Sequence, residues 1–417
     1  MHRNTVWERG LNMKILFLPL FNMPSGHHHV ADALIGMTNN RSDKIECRKV
    51  DILSYSSKRI EKAVSEIYLK WIKHMPHTYD WAYKHFAYTA SHKHRSFWGM
   101  ERFFLSKVEL LLQEERPDVV VCTHGFPSLL MSRLKNKGRC HIPVINVYTD
   151  YFINDIWGRQ GIDYHFVATS EVKKQMVEQY GLNEESIFVT GIPIHEIFLS
   201  SNSMKRRNKS HSKTILVAGG SSGLGDIAGL LIHSDPDVNY HYIILCGNNE
   251  VLYQSLKDIQ NPQLEPLPYI TSRADMNRLY DRVDAIITKP GGVTISEALR
   301  KRLPIFVHSS LPGQEAVNMQ YFKERHLVYE LDHRDSFEKQ IATILNNDIE
   351  IRRWQRAVQT YFDNLHVFHP YALFEFLYDR ALEGQYLNEI YQIVKTKRGF
   401  IRTLKKYAKK LSLSDNA

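Results

Sequence analysis

The chain is predicted to be an α/β protein in which two doubly wound parallel sheets face a shared cleft, followed by C-terminal helices. Short apolar, β-branched runs alternate with helical patterns, and the alternation occurs twice with a polar basic break between. At 417 residues the chain also exceeds what one ordinary core accommodates. Glycine-rich turns follow several of the apolar runs, as βα turns require.

The first series of strand-like runs covers residues 14–20, 46–52, 118–123, 144–148, 164–168 and 187–190, with helical spacing between them at 30–37 and 171–180. Residues 200–210 are polar and basic and have no apolar face to bury. The second series covers 214–218, 242–246, 264–266, 285–288, 305–308 and 327–330, and beyond about residue 349 the pattern is helical. These patterns predict a first domain over 13–198, a basic linker over 199–213, a second domain over 214–348 and terminal helices over 349–417. Ligands of such sheets sit outside the carboxyl ends of the strands, here in the cleft between the domains.

Composition narrows the class. Apolar residues make up 43% and charged residues 24%, as in a globular protein. Cys47, Cys122, Cys140 and Cys246 stand singly, which fits buried thiols better than disulfides or zinc. No apolar run approaches the roughly 18–20 residues that span a bilayer. The apolar stretch 15–21 is short for a secretory signal, Met13 is an alternative start, and a cytoplasmic location is expected.

The net charge of +9 leaves nucleic acid, anionic lipid and no partner at all as candidates, and where the charge sits decides among them. Residues 58–107 carry ten Lys or Arg against four Asp or Glu, interleaved with aromatics that include Trp71, Trp81 and Trp98. Residues 395–411 carry eight Lys or Arg and no acid, with Phe400, Leu404, Tyr407 and Leu411 at helical spacing. Aromatic and basic residues mixed in this way suit an anionic membrane surface, so peripheral association with the inner face of the membrane is expected. Nucleic acid is the weaker option, because no recognisable nucleic-acid module accompanies the charge.

Lys289-Pro290-Gly291-Gly292-Val293-Thr294-Ile295-Ser296-Glu297-Ala298 is the most informative motif. A strand, a glycine turn and a helix start make an anion site, since free N–H groups and the helix dipole point at the ligand. Glu297, expected in the first helical turn, suits two neighbouring sugar hydroxyls, and phosphate beside a diol describes a nucleotide. The plainer alternative is a βα turn capped by Thr294 or Ser296.

Gly219-Gly220-Ser221-Ser222-Gly223-Leu224-Gly225-Asp226 is a second phosphate-loop candidate, although Asp226 stands where a Walker A motif needs lysine. After the first strand comes Ser25-Gly26-His27-His28-His29. A histidine at a helix start is held uncharged and available as a base, the role expected of His27. Adjacent helical residues diverge by about 100° and cannot share one ion, so no metal is expected and His28 and His29 are predicted to face solvent. In Leu311-Pro312-Gly313-Gln314-Glu315, Gly313 permits close backbone approach while Gln314 and Glu315 suit sugar hydroxyls.

The ordered series resembles the processive diacylglycerol glucosyltransferases of Gram-positive bacteria and the plant monogalactosyldiacylglycerol synthases, over about residues 13–331. It is carried by Gly26-His27, Thr149-Asp150-Tyr151, Val167-Ala168-Thr169, Thr190-Gly191-Ile192-Pro193, Cys246-Gly247, Lys289-Pro290-Gly291-Gly292 with Glu297-Ala298, and Pro312-Gly313-Gln314-Glu315. The resemblance implies the GT-B architecture of two Rossmann-like domains, and an inverting, metal-independent transfer of a hexose from a UDP-sugar to a lipid such as diacylglycerol, with no cofactor. It implies that Gly219 and Gly220 approach the diphosphate and that the main chain at Tyr269 and Ile270 meets the uracil. Gly291, Gly292 and Thr294 then hold phosphate, Glu297 the ribose, and Gln314 and Glu315 the hexose. Lys289 is expected to help stabilise the departing UDP. His27 becomes the general base and Asp150 its helper, while 58–107 meets membrane and acceptor.

Three positions depart from the family pattern: Pro24-Ser25 before Gly26, Asn248 where relatives carry a cation, and Pro268 before Tyr269. They leave the sugar and the acceptor open. Rival readings are a UDP-GlcNAc 2-epimerase-like enzyme and a nucleotide-sugar-binding membrane sensor without turnover.

Overall fold

Both predicted alternations become parallel sheets in the computed structural model, which describes residues 13–21, 25–75, 78, 98–199, 212–219, 240–311, 313–332, 334–366, 369 and 371–388. The first sheet contains β1 (Met13–Leu18), β2 (Ile45–Lys49), β3 (Val119–Cys122), β4 (Val144–Val147), β5 (Tyr164–Val167) and β6 (Ile187–Val189), in the order β2-β1-β3-β4-β5-β6. The second contains β7 (Lys213–Ala218), β8 (Tyr240–Leu245), β9 (Leu264–Leu267), β10 (Ala285–Thr288), β11 (Ile305–Val307) and β12 (Tyr329–Glu330), in the order β12-β11-β10-β7-β8-β9. Central strands β3, β4 and β10 are buried at every residue, because helices cover both faces of a parallel sheet.

Strand order reverses between β1 and β3 in the first sheet and between β7 and β10 in the second. A crevice opens at the carboxyl ends of the strands where order reverses. Gly26 and His27 follow β1, His124 follows β3, and Gly291 follows β10, so the candidate motifs sit at these two switch points.

The two halves interlock at the end of β4. Tyr151 enters the second half, its ring 4.6 Å from that of Phe322 and 5.2 Å from that of Tyr321. Its hydroxyl lies 2.8 Å from Ser296 Oγ, so the polar tip of the buried ring is paired. Helix Asp348–Asp363 packs on the second half through Trp354, whose indole donates to the Leu327 carbonyl at 2.9 Å. The helical residues 371–388 then return to the first sheet. There Asn388 donates to the Pro117 carbonyl, and a Cβ at Gly384 would lie 1.6 Å from the Asp118 carbonyl, so only glycine allows this approach. The chain thus reaches Asn388 at the start of β3, the end of the first sheet away from the cleft. The basic stretch 395–411 lies outside the described residues.

Candidate functional site

A cleft of about 1390 Å³ opens between the switch points and is lined from both halves. It brings together Gly26, His27, Asp150, Tyr269, Ile270, Gly291, Gly292, Thr294, Glu297, Gln314 and Glu315. Lys289 and Gly313 do not line it. Gly219 is buried at the end of β7, whereas Gly220 and Ser221 lie outside the described residues.

On the first wall, His27 is the second residue of helix Gly26–Asn39. Its Nδ1 lies 2.9 Å from the Thr123 carbonyl and 2.9 Å from Thr149 Oγ1. A carbonyl only accepts, so Nδ1 carries the proton and Nε2 keeps its lone pair. Burial pushes the His27 imidazole down to about 4, against the hydrogen bond to Thr123, with His28 adding to the lowering. The ring is therefore neutral at ordinary pH. His124 packs edge-on against it with centroids 4.5 Å apart, and is itself fixed because its Nδ1 accepts from Phe126 N as a helix cap.

The neighbouring histidines differ from expectation. The His28 ring bonds the Phe21 carbonyl, and His29 lines the cleft instead of facing solvent. Burial, then nearby Arg273, pushes His29 down to about 4. Among the described residues no group of three or more His, Cys, Asp or Glu is placed to hold a metal ion.

Asp150 follows β4. Its Oδ1 accepts from Asn318 Nδ2 at 3.0 Å, while Asn318 Oδ1 accepts from Tyr151 N at 2.9 Å. One amide from the second half thus fixes both the carboxylate and the backbone beside it. Burial raises the Asp150 carboxyl to about 6, opposed by the Asn318 hydrogen bond and assisted by Glu315.

The second wall is built on main chain. Helix Gly292–Arg300 begins at Gly291 with no side-chain cap, so its first N–H groups stay open to the cleft. Neither Thr294 nor Ser296 caps it; Ser296 Oγ instead donates to the Gly292 carbonyl at 2.8 Å. Glu297 consequently falls in the second turn, not the first, and favourable interaction with the helix dipole no longer accounts for it. Tyr280 donates to its Oε2 at 2.8 Å, and burial raises the carboxyl to about 7.

The two glycines of the turn differ. A Cβ on Gly291 would meet nothing within 4 Å, whereas one on Gly292 would lie 2.1 Å from the Thr149 carbonyl of the other half. Gly291 fronts open space and Gly292 is an interdomain contact. Helix Gln314–Glu324 starts at Gly313, whose φ of 92° favours glycine. Glu315 Oε2 accepts from Leu311 N at 2.7 Å, and burial raises its carboxyl.

One pattern joins these elements. Helices Gly26–Asn39, Gly292–Arg300 and Gln314–Glu324 start without a side-chain cap, and each presents its first turn to the cleft. Several of the other described helices are capped by side chains, as by Asp51, Ser57, Thr169, Ser336 and Asn347, and the cleft-lining helix Arg273–Arg282 is capped by Ser272. Open N-termini aimed at one space make it suited to anions.

Sequence reasoning missed Thr149, Arg273, Tyr280 and Asn318 as cleft residues. Asn318 was recoverable, since it lies on the same helical face as Gln314 and Glu315. Of the residues expected to meet acceptor and membrane, Gly26 lines the cleft and Trp71 does not. Trp71 is half-buried and donates from its indole to Thr78 Oγ1 at 2.9 Å. Trp98 begins helix Trp98–Glu115, its side chain lying outside the described residues with the whole of Trp81.

Residues 27–194 match the family model of monogalactosyldiacylglycerol (MGDG) synthase. The chain is 41% identical over 83% of its length to the uncharacterized glycosyltransferase YkoN of Bacillus subtilis strain 168, covering 92% of that protein. The chain belongs to the MGDG synthase family of glycosyltransferases. A processive diacylglycerol beta-glucosyltransferase of Bacillus cereus strain G9842 is 33% identical over 62% of this chain and 67% of its own length. The glycosyltransferase SnogD of Streptomyces nogalater shares the fold, with TM-score 0.53 and 14% identity over 88% of this chain and 99% of its own. The protein is thus a glycosyltransferase of GT-B architecture, and its cleft is the place to look for glycosyl transfer.

Proposed function

We propose that this glycosyltransferase moves a hexose from a UDP-sugar to a diacylglycerol-type lipid, by in-line attack with inversion and without a metal ion. The observation that carries the reading is the convergence of three uncapped helix N-termini on the cleft that also holds His27. Glycosyl transfer needs negative charge stabilised on the departing diphosphate and a proton removed from the attacking hydroxyl. The open N–H groups of the helix turn that begins at Gly292 serve the first need, whereas Gly291 N is already tied to the Lys289 carbonyl at 2.8 Å. His27 Nε2, with Nδ1 tied to Thr123, serves the second. Glu297 suits the ribose, Gln314 and Glu315 the hexose, and Asp150 assists at the reacting centre. The diacylglycerol named as acceptor for the B. cereus relative supports the lipid acceptor.

Access to a lipid is supported by helix Lys58–His74, which extends from the cleft-facing end of the first sheet. Ile60, Val64 and Ile67 form an exposed apolar stripe on it, flanked by exposed Lys58, Arg59, Lys62 and Lys70. An apolar stripe with basic flanks fits the headgroup layer of an anionic membrane. Among the described residues no helix is long and apolar enough to cross a membrane.

The test is a panel of labelled UDP-hexoses offered with diacylglycerol vesicles, resolving product lipids and their anomeric configuration. A β-linked glycolipid formed with chelator present is expected. Interconversion of UDP-sugars without an acceptor, or no lipid product from any donor, would overturn the proposal.

A further inference from the structure

The charges around the cleft do not suit a diphosphate unless one residue is given a larger part than the sequence motifs suggest. Asp150, Glu297 and Glu315 all line it, and bringing in a nucleoside diphosphate adds further negative charge. Lys289, the cation expected beside the phosphates, is not in the lining, and its ammonium acts on Glu315. Arg273 is the single Lys or Arg among the described lining residues. It is the first residue of helix Arg273–Arg282, placed there by the Ser272 cap whose hydroxyl accepts from Asp275 N.

Among the described residues the Arg273 guanidinium donates no hydrogen bond and lies in no ion pair, although its charge acts on Glu297 and on His29 across the cleft. A half-buried guanidinium without a carboxylate partner keeps its donor fork for a ligand. Tyr280 already holds one Glu297 oxygen, so the carboxylate and the guanidinium remain separate, one suited to hydroxyls and the other to phosphate.

We propose that Arg273 holds the diphosphate of the nucleotide donor, in the part expected of Lys289. The proposal rests on the UDP-sugar reading and adds its principal cation. Arg273 supplies the permanent positive charge, and the helix N-termini supply N–H groups around it. It also offsets the absent cation at Asn248, from a helix that the glycine motifs do not include.

The test compares UDP with uridine by titration calorimetry on the full chain, for wild type, R273Q and R273K. A lost charge-assisted phosphate contact weakens UDP roughly 10–100-fold in R273Q. Uridine, which lacks phosphate, is expected to change less than about threefold, with R273K intermediate for UDP. The salt dependence of UDP binding should also flatten in R273Q. Equal losses for UDP and uridine would place Arg273 on the base or ribose, or in a structural role, and overturn the assignment. Unchanged UDP affinity would overturn it too. If wild type bound uridine no worse than UDP, phosphate recognition would fail for the whole cleft, and the donor reading would fall with this one.

Discussion

The helix starting at Gly26 and the helix starting at Gly292 both begin at the switch point of their own sheet, one after its first strand β1 and the other after β10 across the switch, and both are uncapped. They are finished differently. On the first, His27 is held by the Thr123 carbonyl, by Thr149 and by the edge-on His124 ring. On the second, the ligand-facing position is Gly291, with no atom near the place of a Cβ. One fold device thus yields a wall with a preset imidazole and a wall of open main chain. Preset side chains suit proton transfer, where geometry must be ready before reaction, and open main chain suits charge that arrives with the substrate.

The largest break in this comparison comes at His27. If the first wall supplies the base, H27A should lower kcat by roughly 10²–10⁴ while leaving UDP affinity nearly unchanged. Turnover on vesicles and UDP titration measure the two separately. A loss of UDP affinity matching the loss of turnover would show that the walls do not divide the work in this way.

Next in size are the paired glycine substitutions. G292A drives a Cβ toward the Thr149 carbonyl at 2.1 Å and should cost roughly 1–3 kcal/mol of stability through overpacking at the interdomain contact. G291A meets nothing within 4 Å at a φ of −82°, so its effect should fall on donor KM and leave the melting temperature in place. Equal destabilisation by the two would erase the distinction between contact and docking surface.

This distinction also shows where sequence reasoning reached its limit. The strands were legible because residues such as those of β3 and β10 are buried on both faces and must be apolar throughout. His27 and Glu297 were legible because they lie within a few residues of glycine turns. The turn position of Glu297 was not, since Thr294 and Ser296 read as caps whereas the helix already starts at Gly292, which packs on the Thr149 carbonyl of the other half. His29 was expected in solvent but lines the cleft within reach of the Arg273 charge from the facing half, and Arg273 has no local motif at all. Local chemistry was readable, whereas contacts made by docking two sheets were not.

A smaller effect follows from Glu297, on the second wall. Its folded carboxyl titrates near 7 against an ordinary 4.5, because burial disfavours the charged form. The folded state therefore binds more proton between these values. The stability this group contributes is full below 4.5 and is lost as pH rises through 7. Asp150 acts in the same direction and His27 in the opposite one, so the informative quantity is the difference between wild type and E297Q. Denaturant unfolding from pH 4.5 to 7.5 should show E297Q losing the downward slope of at most about 1.4 kcal/mol per pH unit that one such proton produces. Parallel curves would mean that the carboxyl titrates normally.

The smallest predicted effect separates the two halves at their surfaces. Ile67 on helix Lys58–His74 is 64% exposed, and Val251 on helix Glu250–Asp258 of the other half is 78% exposed. Exposure alone does not distinguish them, but their settings do. Ile67 continues a stripe with Ile60 and Val64, whereas Val251 is the only exposed large apolar side chain in its helix. Partial burial of one aliphatic side chain in a headgroup layer contributes about 1 kcal/mol, so I67S should weaken binding to anionic vesicles roughly fivefold. V251S should leave vesicle binding unchanged. Vesicle sedimentation of both variants at two salt concentrations decides the matter, since the basic flank predicts that wild-type binding itself falls with salt. Equal weakening by the two substitutions would remove the reason for assigning the lipid-facing surface to the half that carries His27.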